Sequence, residues 1–181
     1  MKVDFHVHST ASDGTMSPQE VASAGESFAA MALTDHDNCD GVEDFLSSPC
    51  GGCKRFSGLE LSIEPGSGFD RFHLVALGID WRNPDLEKLL RRILQGRNDR
   101  NLRILENFAN IGIEIEPDDI FRYAHGEVLA RPHFARWLVD HKYAADIPQA
   151  FERYLLPESP QKYRCYEERW HPGQEETFSV V

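Results

Sequence analysis

The first residues of the chain, MKVDFHVH, alternate between apolar and polar side chains, and this pattern constrains the fold more than any other feature of the sequence. Alternation with a period of two predicts a β-strand over residues 2–8. One face of this strand would carry the apolar side chains of Val3, Phe5 and Val7. The opposite face would carry Asp4, His6 and His8. The chain must therefore build a sheet that presents two neighbouring imidazoles on one side, either as ligands or as polar groups facing solvent.

A helix and three more strands are predicted in the first half of the chain. Ser17 as N-cap, Pro18 at the first helical position and Glu20 in a capping box predict a helix that runs to about Glu26. The apolar residues 29–33 predict a buried strand that ends in a polar loop, and residues 55–62 and 72–78 predict two further strands. Short buried strands separated by helices favour parallel β/α units, which carry their chemistry at the carboxyl ends of the strands.

From residue 84 the apolar residues follow helical spacing. Residues 84–111 and 131–141 are amphipathic, and a last helix is predicted over residues 147–155. Beyond it, Pro157, Pro160 and the loss of periodicity predict an irregular, poorly ordered tail. We therefore predict a strand-rich domain over residues 1–83, an all-helical region over residues 84–156 and a tail over residues 157–181.

The net charge of −11 argues against a broad nucleic-acid surface, because such surfaces depend on Lys and Arg. A phosphorylated partner would have to be held locally, and bound divalent cations can supply that attraction. No apolar run approaches the length of a membrane span, and the N-terminus lacks the apolar segment of a signal peptide. We therefore expect no membrane partner, a cytoplasmic location and reduced thiols at Cys39, Cys50, Cys53 and Cys165.

Histidine and carboxylate side chains recur at the ends of the predicted strands. The candidate metal ligands are His6, His8, Asp13, His36, Glu60 and His73. Four imidazoles and two carboxylates match a polynuclear site for Zn, Mn or Fe, since these ions accept mixed nitrogen and oxygen ligands.

The same residues fall in five short motifs: DFHVHST (4–10), SDG (12–14), LTDHD (33–37), GLELS (58–62) and FHL (72–74). In order and spacing, these motifs resemble those of PHP-domain metal-dependent phosphoesterases. RNDRN (97–101) and ARPHFA (130–135) are similar to the subgroup that cleaves nucleotide phosphates or trims RNA from its 5′ end. The resemblance extends to about residue 156.

This resemblance implies an α/β fold, namely the N-terminal part of a distorted (β/α)7 PHP barrel with an all-helical insertion. It also implies two or three divalent metal ions, Mn, Zn or Fe. The first ion would be held by His6, His8 and the bridging ligand Glu60, the second by Asp13 and His36, and the third would draw on His73.

Two residues of the helical region are candidate substrate ligands. A planar guanidinium can hold a phosphate with two N–H groups, so Arg131 would bind substrate, with a surface ion pair as the alternative. His133 either accompanies Arg131 in the substrate site or satisfies a helix N-terminus.

The resemblance also exposes missing motifs. Members of the family continue further and supply a histidine in an Ala-His-Pro strand and a late Asp-x-His pair, and neither is found here. WHPG (170–173) resembles the first motif, but no apolar strand precedes His171. The missing strands leave an open barrel edge, which predicts marginal stability or self-association.

Other marked residues have ordinary explanations. Cys50 and Cys53 have zinc-knuckle spacing, but a structural zinc ion needs a second pair. Asp35 and Asp37 either orient the histidine between them or cap the following turn. His125 and His141 are expected to be surface residues.

The sequence contains no nucleophile elbow and no P-loop. The motifs therefore predict a hydrolase that cleaves a phosphomonoester with metal-activated hydroxide and no catalytic side chain. The expected substrate is a nucleotide of the 3′,5′-bisphosphate type or an RNA 5′ end. Two alternatives stay open: a non-catalytic metal- or nucleotide-binding remnant with an incomplete site, and a histidinol-phosphatase-like enzyme.

Overall fold

The structure is a computed structural model that describes residues 1–49, 51–66, 70–124 and 129–181. It divides into two compact units. The strand unit comprises Met1–Leu94 and His171–Val181, and the helical unit comprises Gln95–Trp170. These limits differ from the predicted ones, since the strand unit includes the beginning of a long helix and the last part of the predicted tail. Within the described residues, no helix has the length and apolar character needed to cross a membrane.

The strand unit contains a four-stranded sheet that curls into half of a barrel. Its strands, in spatial and sequence order, are β1 (Val3–Val7), β2 (Ala30–Leu33), β3 (Lys54–Ile63) and β4 (Phe72–Leu77). Helix α1 (Pro18–Ala24) follows β1, and helix α2 (Val42–Ser47) follows β2. Strands β1, β2 and β3 are parallel to one another. The predicted β/α pattern is therefore confirmed up to β3.

Strand β4 departs from this pattern, because it runs antiparallel to β3. The expectation of parallel units throughout is wrong at this point. Only eight residues separate Ile63 from Phe72, and a crossover between parallel strands needs about a dozen or more. The connection is therefore too short for a crossover, and β4 pairs with β3 as an antiparallel hairpin.

Helix α1 begins as predicted. The Ser17 hydroxyl accepts a hydrogen bond from the Glu20 N–H, and the Glu20 carboxylate accepts one from the Ser17 N–H at 2.8 Å. Pro18 occupies the first helical position, where its missing N–H is no loss. The helix ends at Ala24, before the expected Glu26, and a single 3-10 turn (Gly25–Ser27) leads towards β2.

The alternation predicted for β1 is interrupted. Asp4 lies opposite Met31 and Val7 lies opposite Leu33, so three steps along β1 match two steps along β2. Because neighbouring residues of a strand face opposite sides, this register shift places Val3 and Val7 on different faces of the sheet. The prediction that Val3, Phe5 and Val7 share one face is therefore wrong.

The two faces of the sheet differ in character. The packed face carries Leu33, Leu59 and Leu61, which are fully buried in the clusters formed with α1, α2 and the following long helix. The open face carries Ala32 and its partner Phe56, followed on β3 by Gly58, Glu60 and Ser62. Large apolar side chains on or beside the open face remain exposed to solvent: Val3 (47%), Phe5 (37%), Phe56 (40%) and Leu77 (49%).

The long helix α3 (Pro84–Asn110) begins in the strand unit and continues into the helical unit. The helical unit also contains α4 (Pro117–Tyr123), α5 (Arg131–Asp140) and α6 (Ile147–Ala150), which continues as a π-helical turn (Phe151–Leu155). Its core is centred on Phe108, Phe134 and Tyr154. The predicted helices over residues 84–111, 131–141 and 147–155 are thus confirmed.

The last residues return to the strand unit. The Glu64 N–H at the end of β3 donates to the Pro172 carbonyl at 3.0 Å, and a short helix, α7 (Gln174–Phe178), follows. The region expected to be irregular from residue 157 therefore contains one helical turn and a defined contact with the sheet.

Candidate metal centre

Glu60 is the centre of a cluster of imidazoles on the open face of the sheet. The residue is 5% exposed, and its Oε2 atom lies 2.6 Å from Nε2 of His6, 3.0 Å from Nε2 of His8 and 3.6 Å from Nδ1 of His36. The other carboxylate oxygen, Oε1, lies 2.6 Å from Nδ1 of His73. One buried carboxylate thus meets four imidazoles from three different segments of the chain.

Asp13 extends the cluster on one side. Its Oδ1 atom lies 3.2 Å from Nδ1 of His8, and its Oδ2 atom lies 3.7 Å from Nε2 of His36. The ring centroids of His8 and His36 are 4.5 Å apart. The structure therefore brings together all six side chains that the sequence marked as candidate ligands, and their binding of metal stays a prediction.

The direction of β4 explains how His73 reaches this cluster. In a parallel strand, a residue at the start of β4 would lie at the end of the sheet opposite to the other candidates. Because β4 is antiparallel, its first residues lie beside the carboxyl end of β3, where His73 pairs with Ser62. The hairpin thus supplies a ligand position that a parallel barrel unit does not.

The register shift in β1 serves the same site. It lies between Asp4 and Val7, so it includes His6. Irregularities of this kind re-aim side chains and are frequent next to functional sites. Here both His6, within the shifted segment, and His8, just after β1, reach the same oxygen of Glu60.

Asp35 fixes the loop that carries Asp13. It is 1% exposed and accepts hydrogen bonds from the Ser9 N–H and hydroxyl, both at 2.7 Å, and from the Ser12 hydroxyl at 2.6 Å. The sequence interpretation assigned Asp35 to its own turn or to His36. In the sequence, the only local sign of this contact is the SxxSD pattern of residues 9–13. That pattern does not reveal that Ser12 bonds to Asp35, which lies 23 residues further along the chain.

Gly14 allows the same loop to fold back on β1. A Cβ atom at this position would lie 2.3 Å from the His8 carbonyl oxygen, which is closer than real Cβ contacts. The Gly14 N–H donates to the Ser9 carbonyl at 2.9 Å, so the turn closes next to the strand end. Glycine in the Ser-Asp-Gly turn is therefore required by close backbone approach.

Backbone hydrogen bonds hold Glu60 between two aspartates. The Glu60 N–H donates to the Asp35 carbonyl at 3.1 Å, and the Asp37 N–H donates to the Glu60 carbonyl at 2.9 Å. The Asp37 carboxylate accepts a bond from the Ser62 N–H at 3.1 Å, and Asp37 itself adopts a left-handed conformation with φ of 51°. Both aspartates thus position the strand ends on either side of His36.

The cluster shifts the protonation of two of its members. Burial lowers the pKa of His36, although the negative charges of Glu60 and Asp13 act in the opposite direction. Burial tends to raise the pKa of Glu60, but hydrogen bonds from His6 and His73 and the charge of His36 outweigh it, so this pKa lies below its ordinary value. Neutral imidazole and ionised carboxylate are the forms that bind metal ions.

The donor set fits divalent metal ions. Three groups of ligand atoms each lie within 4.8 Å of one another: His6–His8–Glu60, His8–Asp13–His36 and His36–Glu60–His73. Two ligands bound to one tetrahedral zinc ion are about 3.4 Å apart, because each metal–ligand bond is about 2.1 Å long. The observed separations of 2.6–3.7 Å lie close to this value. Glu60 belongs to two of the three groups, so its carboxylate could be shared by neighbouring ions.

Arg131 and His133 lie in the helical unit. The Arg131 guanidinium donates to the Leu155 carbonyl at 3.3 Å and lies 5.3 Å from the centre of the Tyr166 ring. Among the described residues no ion pair of Arg131 is found, and both its contact with substrate and the alternative of a surface ion pair stay predictions. His133 is buried, and its Nδ1 atom accepts a hydrogen bond from the Ala130 N–H at 2.9 Å. The predicted helix-capping role of His133 is thus observed, and its contact with substrate stays a prediction.

Five other marked residues have simpler surroundings or are not described. Cys50, of the pair with zinc-knuckle spacing, and His125 lie outside the described residues, and Cys53 is buried with a free thiol. His141 stacks on Trp137 with ring centres 3.9 Å apart. His171 lies in the segment that meets the end of β3, immediately before Pro172.

Comparison with known proteins gives relatives with phosphoesterase names. The chain is 35% identical over 162 residues to a 3′,5′-nucleoside bisphosphate phosphatase of Chromobacterium violaceum, which covers 87% of this chain and 56% of the relative. It is 30% identical over 160 residues to the 5′-3′ exoribonuclease Rnm of Escherichia coli, which covers 84% of this chain and 53% of the relative. The chain therefore spans about half the length of these curated relatives. No family model matches it.

Solved structures show the same fold. An amidohydrolase from Chromobacterium violaceum, determined with bound sulfate and no metal, superposes with a TM-score of 0.78 at 30% identity and covers all of this chain and 63% of its own. A metal-dependent phosphoesterase from Bifidobacterium adolescentis superposes with a TM-score of 0.76 at 20% identity and covers 99% of this chain and 63% of its own. The resemblance predicted from the motifs is thereby confirmed: the chain is similar in sequence and fold to metal-dependent phosphoesterases of the nucleotide-phosphatase and 5′-3′ exoribonuclease subgroup.

Proposed function

We propose that this protein is a metal-dependent hydrolase that cleaves phosphomonoesters of nucleotides, either of the 3′,5′-bisphosphate type or at RNA 5′ ends. The observation that carries the proposal is the meeting of four imidazoles at the buried carboxylate of Glu60. The names of the relatives supply the reaction class and the substrate class. Since the chain spans about half of these relatives, their whole activity enters here as part of the proposal.

The ligand side chains have distinct roles in this proposal. Glu60 would be the ligand shared between ions, since its two oxygens face different imidazoles. Asp13 and His36 serve an ion beside the loop that Asp35 fixes, and His73 serves an ion on the hairpin side. We propose two or three ions of Mn, Zn or Fe, which accept this mixture of ligands. When bound, such ions lower the pKa of water to near 7 and neutralise charge on phosphate oxygens.

No side chain is assigned as a nucleophile. The chain's own residues instead hold the ions, keep Glu60 ionised and fix the loops around the site. Arg131 is proposed to bind a phosphate of the substrate through its guanidinium, and His133 is proposed to assist at the same helix N-terminus.

The fold is proposed to be the N-terminal part of a distorted (β/α)7 barrel, with the helical unit as an insertion. The exposed apolar side chains of the open face support this, because the interior of a barrel is filled with such side chains. Until the open edges are covered, we expect self-association of the chain or marginal stability. A single monomeric species in analytical ultracentrifugation that unfolds cooperatively would count against this expectation.

Metal content and turnover measured on the same samples test the proposed function. The chain is reconstituted with Mn, Zn or Fe, its metal content is counted, and phosphate release is followed with adenosine 3′,5′-bisphosphate and with histidinol phosphate. We expect two or three ions per chain and preferential cleavage of the nucleotide. His36→Ala should abolish turnover, whereas His141→Ala, a histidine of the helical unit, should not.

Other outcomes identify the alternatives. Bound metal without cleavage of any phosphoester would indicate a non-catalytic metal- or nucleotide-binding remnant. Preference for histidinol phosphate would indicate a histidinol-phosphatase-like enzyme. The cytoplasmic location stays a prediction, which fractionation of cells that express the chain can check.

A further inference from the structure

Strand β1 forms one edge of the sheet, and among the described residues it pairs with β2 alone. The Lys2 carbonyl accepts a hydrogen bond from the Ala29 N–H at 2.7 Å, so the backbone of Lys2 faces β2. Since the backbone groups of successive strand residues point to alternate edges, those of Val3 and Phe5 face away from β2. A row of such groups is a template for pairing with another strand.

Apolar side chains accompany this edge. Val3 is 47% exposed and Phe5 is 37% exposed, and the Phe5 ring contacts that of Phe56, with ring centres 6.0 Å apart. The residues of β1, VDFHV, include neither the proline nor the lysine that commonly protects a free edge. An exposed edge with this composition favours association with a further strand.

The register shift of β1 limits the length of the edge that can pair. The Val7 carbonyl accepts a hydrogen bond from the Thr34 N–H at 2.8 Å, so it faces β2. In a regular strand the backbone of Val7 would face the same edge as that of Phe5, and the shift after Asp4 changes this. A partner strand can therefore pair with residues 1–5.

Charge selects one register for the pairing of two copies. Copies that use the same edge pair antiparallel about a two-fold axis, and an axis at Val3 places Lys2 of each copy opposite Asp4 of the other. These two residues form a non-hydrogen-bonded pair, in which side chains approach most closely. Pairing Val3 with Phe5 would instead place two Asp4 carboxylates face to face, which is destabilising. An axis at Phe5 would require Val7, whose carbonyl faces β2.

We propose that two copies of this chain associate through β1, with Val3 at the two-fold axis and ion pairs between Lys2 of each copy and Asp4 of the other. The partner is a second copy because residues 1–5 complement themselves in charge and in apolar character, with Val3 opposite Val3 and Met1 opposite Phe5. The inference depends on the order and register of the strands. It does not depend on the metal centre or on the proposed reaction.

Charge reversal tests this contact. The chain, with no residues added before Met1, is studied by analytical ultracentrifugation over a range of concentrations in about 0.15 M salt, where charges more than about 8 Å apart are largely screened. We expect a reversible equilibrium between monomer and dimer. Lys2→Glu and Asp4→Lys should each weaken dimerisation about tenfold or more, which corresponds to about 1.4 kcal/mol, because like charges then meet at two places.

A mixture of the two variants identifies the register. In equal amounts, Lys2→Glu and Asp4→Lys should form a mixed dimer about as stable as that of the wild type, because opposite charges again face each other at both places. A wild-type chain that stays monomeric at every concentration would overturn the proposal. Failure of the mixture to recover the dimer would overturn the proposed register.

A further variant keeps the test open if Asp4→Lys does not fold, since Asp4 Oδ1 also accepts a hydrogen bond from the His6 N–H at 3.2 Å. Val3→Lys places two like charges at the axis and should give a monomer. Leu77→Lys, which changes an exposed apolar residue of the other edge strand, should dimerise as the wild type does. Dimers that survive Val3→Lys would contradict the proposal.

The two proposals fail separately. A wild-type dimer that binds metal but cleaves no phosphoester would reject the proposed function alone. A wild-type monomer that cleaves the nucleotide would reject the β1 contact alone.

Discussion

The two units of this protein gather opposite kinds of charged side chain. The strand unit brings imidazoles and carboxylates together around Glu60, in an arrangement suited to cations. The helical unit places Arg97, Arg131 and Arg169 near the buried guanidinium of Arg100, so like charges meet there. The strand unit builds its cluster from strand ends and short loops within the first 73 residues, whereas the arginines come from α3, α5 and the segment before His171. Local motifs mark residues of both groups, RNDRN and ARPHFA among them, but no local pattern shows that Arg100 is buried near Arg131 and Arg169.

The largest effect on stability is expected from a substitution in the core of the helical unit. This substitution tests whether the two cores are independent. Phe108 is fully buried in the helical unit against Phe134 and Tyr154, so Phe108→Ala should lower the free energy of unfolding by about 3–5 kcal/mol. Metal content should remain at the wild-type value, because all six candidate ligands belong to the strand unit. Urea unfolding and metal analysis of the same sample measure the two quantities.

Two further substitutions sharpen this test. Leu102→Ala, at an exposed position of the same helix, should change stability by less than about 0.5 kcal/mol. Phe45→Ala, in the buried core of the strand unit, should reduce both stability and metal content. If Phe108→Ala lost its metal while Phe45→Ala kept it, the assignment of the cation site to the strand unit would be wrong.

A smaller effect is expected from the loop contact in the strand unit. Asp35→Ala removes the acceptor of three hydrogen bonds from Ser9 and Ser12, and it should cost about 2–4 kcal/mol, since bonds to a charged group contribute about 1.5–3 kcal/mol each and are not additive. Because the loop carries Asp13, metal affinity should fall about 10–100-fold. Calorimetric metal titration and thermal unfolding check both effects.

The matched control is Asp40→Ala, which changes an exposed aspartate in the connection between β2 and α2. It should leave stability and metal affinity unchanged. Equal behaviour of the two variants would show that Asp35 does not fix the loop.

The smallest effect is expected at Gly14. A Cβ atom here would meet the His8 carbonyl oxygen at 2.3 Å, so Gly14→Ala should shift the loop and cost about 1–3 kcal/mol. At Gly51 the nearest atoms would be 3.7 Å away, which is an ordinary contact, and Gly51→Ala should have little effect. Thermal unfolding of the two variants compares them directly, and a Gly14→Ala protein as stable as Gly51→Ala would contradict the close-approach argument.

Much of the strand unit could be predicted from local sequence patterns. The capping box at Ser17 and the limits of β2, β3 and β4 were predictable to within one or two residues, because they depend on hydrophobic periodicity and on contacts between near neighbours. The six candidate ligands were also found, since strand ends gather at one edge of a sheet. The antiparallel direction of β4 was missed, although the short connection before Phe72 indicates it.

Other features depend on contacts that no local pattern contains. The register shift of β1 is set by its pairing with β2, and the partners of Asp35 lie in a different loop. The burial of Arg100 depends on helices that are distant in sequence. These features require the folded structure because they arise from tertiary packing.

The most direct test of the cation site is the metal content of Glu60→Gln. The amide has nearly the shape of the carboxylate but lacks the charge that faces four imidazoles. After reconstitution and dialysis, we expect two or three ions per chain in the wild type and in Glu64→Gln, which changes a more exposed carboxylate just after β3. Glu60→Gln should retain one ion at most. An unchanged metal content in Glu60→Gln would contradict the central role of this carboxylate.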